Sequence, residues 1–154
     1  MLSYESTSRL KPSTIRAIQK DVQSIERDWW KGVLGFDAAE DDEHPSTLSG
    51  RTRLFYVKTG IPDDEDLFMA FADAAFILGK LAGWSKEHKV KWHIRMHDDD
   101  WGAVDPSGFT KPLADQMGKW AHRLKIFPNG RDTWFIPEDR RSELLARHAA
   151  RKGS

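Results

Sequence analysis

Cysteine is missing from this 154-residue chain, which removes disulfides, zinc–thiolate centres and thiol catalysis at once. A chain without disulfides suits a reducing compartment, and the cytoplasm is the expected location. The start, Met1-Leu2-Ser3-Tyr4-Glu5-Ser6, lacks the basic and then apolar pattern of a secretory leader. Long apolar runs are scarce. The longest, Leu67 to Leu78, is interrupted by Asp73 and falls short of the roughly 20 residues that cross a bilayer, so no membrane partner is expected. Charge of one sign is also lacking: 24 Lys and Arg balance 24 Asp and Glu. Phosphate-cradling loops and a glycine-flanked serine elbow are absent.

The charge that is present is unevenly placed. From Asp37 to Asp73 ten acidic residues face only Arg51, Arg53 and Lys58, whereas from Lys111 onward ten basic residues outnumber five acidic ones. Such a basic third suits an anionic partner. Seven tryptophans favour an aromatic core or an aromatic-lined pocket.

The stretch from Lys89 to Asp105 is the most informative. Val90, Trp92, Ile94 and Met96 alternate with Lys91, His93, Arg95 and His97. That period of two predicts a strand with one face in the core and one toward water. Asp98, Asp99 and Asp100 follow, and Trp101-Gly102 is expected to end the strand in a turn, with 103–108 as a loop. On a strand, His93 and His97 stand about 13 Å apart, too far to share one metal ion. His93 with Arg95, or Arg95 with His97, could instead hold an anionic group.

Around this strand the chain reads as a single α/β or α+β domain over 1–154, with a small sheet of about four strands and four helices packed on it. Residues 1–10 read as a flexible lead. Pro12 opens a helix with the stripe Ile15, Ile18, Val22, Ile25 and Trp29, ending near Gly32 or Gly35. Spacings of three and four suit a core face or a homodimer seam. Residues 37–50 form an acidic surface loop, and Arg51–Lys58 a strand. Asp63 or Asp64 caps a second helix that is apolar nearly all round from Leu67 to Leu78, and Gly79 and Gly83 allow close packing and then a stop before Trp84. Asp73 within it is either at a solvated edge or a buried carboxylate. Thr110 caps a third helix with Leu113, Met117, Trp120 and Leu124 inward. A β-hairpin at 125–136 turns at Pro128-Asn129-Gly130, a last helix follows Pro137, and 152–154 fray. Helix and basic-tipped hairpin in that order resemble a winged helix. A strand and a loop stand, however, where that family has two short helices.

Three functional readings compete. In the first, a binding or regulatory protein engages nucleic acid or a phosphorylated ligand through Lys91, His93, Arg95, His97 and Trp101, together with Lys119, Arg123 and Arg131 of the basic third. In the second, His97 and Asp99 serve a small hydrolase. Asp98, Asp100 and Asp105 are then the candidate ligands for a divalent cation, the one cofactor the residues leave open. In the third, the chain is a protein-interaction or inhibitor protein, homodimeric through its first helix.

Overall fold

The alternation around Trp92 does form a strand. This computed structural model describes residues 2–7, 9–25, 37–38, 47–52 and 64–126. In chain order the elements are β1 (Leu2–Ser6), α1 (Pro12–Ile25), β2 (Asp37–Ala38), β3 (Leu48–Thr52), α2 (Asp64–His88), β4 (Trp92–Met96), β5 (Asp99–Asp105), β6 (Gly108–Phe109) and α3 (Lys111–Arg123). The class is mixed α+β. Among the described residues there are six strands, in the order β2-β3-β1-β4-β5-β6 with every neighbouring pair antiparallel, and three helices rather than four. The hairpin at 125–136, the helix after Pro137 and the tail at 152–154 lie outside the described residues, apart from Lys125 and Ile126.

Leu2–Ser6 is not a lead; it is β1, paired with β3 on one edge and β4 on the other. Its alternation matches that of β4: Leu2, Tyr4 and Ser6 point inward while Ser3 and Glu5 point out. The buried Ser6 hydroxyl accepts the Leu48 N–H at 3.0 Å, which satisfies a polar group that would otherwise be costly inside. The supposed loop at 37–50 contributes strand residues at both ends, Asp37–Ala38 and Leu48–Gly50. The strand placed at Arg51–Lys58 begins earlier, at Leu48, and the residues after Thr52 lie outside the description until Asp64.

The Trp92 strand ends at Met96, ahead of the turn expected at Trp101-Gly102. His97-Asp98 forms a two-residue hairpin turn between β4 and β5, with Met96 opposite Asp99. His97 takes φ +54° there, a conformation that such turns usually assign to Gly, Asn or Asp. Gly102 also has a positive φ, +112°, but it lies within β5, where Trp101 is an extra residue in the pairing. Ile94 faces Gly102 and Arg95 faces Asp100, so the ladder bulges at Trp101. Residues 103–105 continue the strand, and β6 returns beside Val104.

α2 runs through both glycines to His88. Gly79 and Gly83 are exposed and have open space where a Cβ would stand, so they mark neither a stop nor a close approach. At that length, Leu67–His88 is by length and composition long and apolar enough to cross a membrane, yet it is packed in the core: 56% of its most apolar stretch is buried. Asp73 is among the buried residues, at 6% exposure. α2 is followed by Lys89 at φ +58°, and α3 by Lys125 at φ +57°. At α3 the Lys125 N–H reaches His122 C=O and the Ile126 N–H reaches Ala121 C=O. That is a Schellman closure with lysine where glycine is usual, and Ile126 is buried beside it.

Side chains from all three helices join Leu2, Tyr4, Leu48, Trp92, Ile94, Met96, Val104 and Phe109 in one hydrophobic cluster. Ile18 and Val22 of the α1 stripe are part of it, and Asp21 accepts the Trp84 indole N–H at 3.0 Å, tying α1 to α2. These strand residues share one sheet face; among the described residues no helix packs on the other.

Candidate functional site on the open sheet face

Antiparallel pairing places opposed residues on the same face, so the register reads out the open surface. One row runs Arg51, Ser3, Arg95 and Asp100 across β3, β1, β4 and β5; the next runs Ser49, Glu5, His93 and Ala103. Ser3, Glu5, Ser49, Arg51, His93 and Arg95 of these rows, with His97 and Asp98 of the turn, border a shallow hollow of about 420 Å³. Glu5, Arg51 and Arg95 are exposed and His93 is half-buried.

His93 sits between two carboxylates. Its Nε2 lies 3.0 Å from Asp100 Oδ1 and its Nδ1 lies 3.5 Å from Glu5 Oε1. Only the imidazolium has two N–H donors, so only that form serves both carboxylates; the neutral ring serves one. The bulge explains how Asp100 arrives. The extra residue Trp101 sets Asp100 opposite Arg95, and its Oδ1 then also accepts the Gly102 N–H at 2.9 Å. The Gly102 N–H first, and then the His93 hydrogen bond, hold the Asp100 carboxyl below the ordinary carboxylate range, with the His93 and Arg95 charges adding to the effect.

The two arginines are placed differently. Arg51 and Arg95 flank Ser3, one strand away on each side, so their Cα atoms stand roughly 10 Å apart. Among the described residues neither has a carboxylate within 4.0 Å. Two guanidinium forks therefore face the same hollow, with no carboxylate among the described residues taking up their donors.

Several expected site residues stand elsewhere. Trp101 is half-buried and packs edge-on against Trp120, centroids 6.4 Å apart, while Trp120 meets Phe71 at 5.4 Å. It belongs to the α3 packing, because a bulge residue leaves the strand's alternation. Lys119 and Arg123 are exposed on α3, a helix of the layer on the sheet's other face. Lys91 is exposed ahead of β4 and does not border the hollow. Arg131 lies outside the described residues. His97 borders the hollow, whereas Asp99 is the register partner of Met96, whose side chain lies in the core. Asp105 is at the far end of β5, where its Oδ1 accepts the Ser107 N–H at 2.8 Å. Asp98, Asp100 and Asp105 do not converge, and among the described residues no group of three His, Asp or Glu is placed to hold a metal.

Ser3, Glu5 and Arg51 are the site residues that reading the sequence missed. The signal for two of them was the short alternation Leu2-Ser3-Tyr4-Glu5-Ser6, identical in period to the Trp92 strand. No family model matches this chain, and no curated protein and no solved structure matches it either.

Proposed function

We propose that this chain binds a phosphate-bearing partner on the open face of its sheet, with Arg51 and Arg95 gripping phosphate oxygens across Ser3. The observation that carries this reading is the pair of exposed arginines on one cross-strand row, without carboxylate partners among the described residues. Guanidinium forks match phosphate geometry and stay charged at any working pH. Glu5, Arg51, Arg95, His97 and Asp98 border the hollow and are exposed, which suits a strand of nucleic acid lying across the sheet better than a small molecule enclosed on all sides. The described residues of this face are mostly polar or charged, with two arginines in one row, which suits contact with the backbone that is tolerant of sequence.

The test is a salt titration with a short single-stranded oligonucleotide. Binding should weaken as salt rises, and the double variant Arg51→Ala/Arg95→Ala should lower the log–log slope by about 1.4, at roughly 0.7 per phosphate contact on single strands. No measurable affinity at low ionic strength would remove the proposal.

A further inference from the structure

Beside the two arginines stands an acid–base pair that binding alone does not need. Glu5 and His93 are register partners on β1 and β4, one step along the strands from the Arg51–Ser3–Arg95 row. Their side chains approach to 3.5 Å, and Asp100 holds the far nitrogen of the ring at 3.0 Å. A carboxylate that fixes one imidazole nitrogen leaves the other aimed and ready to exchange a proton. Here that nitrogen, Nδ1, faces Glu5 at the edge of the hollow.

We infer that this face cleaves RNA by internal transesterification, with Glu5 as the proton acceptor and His93 as the proton donor. The inference rests on the phosphate-binding reading above. With a phosphodiester seated on Arg51 and Arg95, Glu5 takes the proton of the ribose 2′-hydroxyl. The 2′-oxygen forms a bond to phosphorus, the P–O5′ bond breaks, and the Nδ1 proton of the His93 imidazolium passes to the departing O5′. The products are a 2′,3′-cyclic phosphate and a free 5′-hydroxyl. Glu5 is left protonated and His93 neutral, and the proton returns from one to the other across their short gap, so the site is reset without any co-reactant. As negative charge builds on the two non-bridging oxygens, the guanidinium groups offset it. Asp100 touches no reacting atom; it is a positioning residue that orients the His93 ring. The substrate class follows from this arrangement, because the nucleophile is the 2′-hydroxyl, which DNA lacks.

The experiment uses the full chain with two probes of one sequence: an all-deoxy oligonucleotide, and the same strand carrying a single ribonucleotide. Both should bind. Only the ribonucleotide strand should be cut, 3′ of the ribose, with a cyclic phosphate identified by mass. Glu5→Gln and His93→Ala should each lower the cleavage rate on the order of 100-fold or more, while circular dichroism confirms that they fold. Asp100→Asn should lower kcat while KM and affinity for the all-deoxy strand hold. If both strands bind and neither is cut, the inference is overturned and the binding reading survives. If Glu5→Gln, folded, cuts as fast as the unaltered chain, the inference is overturned. If neither strand binds, both readings fall together.

Discussion

Gly102 shows how much one residue can determine. Its φ of +112° suits glycine alone, and a Cβ there would stand 2.7 Å from Thr110 Oγ1 and 3.1 Å from the Leu113 backbone nitrogen. The Thr110 hydroxyl cannot easily yield, because it accepts the Ala103 N–H at 3.0 Å and donates to the Ala103 carbonyl at 3.1 Å. Thr110 does stand at the N-cap of α3, as its sequence position suggests, but makes no side-chain cap hydrogen bond; its oxygen is committed to β5. Gly102→Ala should therefore destabilise the fold by about 1–3 kcal/mol, the usual cost of forced backbone strain, read as a lower midpoint in denaturant unfolding. Asp100 offers a test by pH. Its carboxyl titrates below the ordinary range in the folded chain, so the ionised form favours folding at every pH above the ordinary carboxylate value of about 4. That contribution is lost as pH falls through the lowered folded value. The stability gap between the unaltered chain and Asp100→Asn should accordingly be present at neutral pH and close in acid, as measured by urea unfolding across a pH series. An unchanged gap at low pH would contradict the assignment.

Among the described elements, α2 supplies the most buried side chains and is the easiest to improve. Phe68, Met69, Phe71, Ile77, Leu78 and Leu81 are almost fully buried, so its apolar sequence is used by its own core. Gly79 and Gly83 face outward with open space around them. Glycine within a helix costs roughly 0.5–1 kcal/mol relative to alanine. Gly79→Ala and Gly83→Ala should each raise stability by about that amount, visible as a higher Tm, with no change in binding. The helices were legible in the sequence because their stripes are long: Ile18 with Val22 and Leu113 with Met117 both face the core as their spacing requires. Their ends were less legible. Lysine, not glycine, takes the left-handed position after α2 and α3, and nothing in the identity of Lys89 or Lys125 announces a helix end. The β4–β5 turn was hidden for the same reason, with His97 holding a conformation that sequence rules reserve for smaller residues.

At the scale of the whole molecule, the sheet is organised around a strand from the first residues of the chain. β1 supplies the hydrogen-bonding edges of both β3 and β4 and buries Leu2 and Tyr4 in the core. Deleting residues 1–6 would split the sheet and leave unpaired backbone where pairing now exists, a loss few domains of this size can absorb. Such a truncated chain should lack a cooperative unfolding transition and the near-ultraviolet dichroism of packed tryptophans. A folded truncation product would refute the central role of β1.

By itself the sequence determined the strand at Trp92, the face its residues present, and the helical stripes that cover the other side, because each depends on a local period of two or of three to four residues. It also brought His93 and Arg95 together, two positions apart on one strand. Only the tertiary structure decided that Glu5, Arg51 and Asp100 join them. That juxtaposition depends on register between strands 88 and 42 residues apart in the chain and on a one-residue bulge at Trp101. Strand pairing is a long-range choice made by the shared core, and no local pattern of residues encodes it.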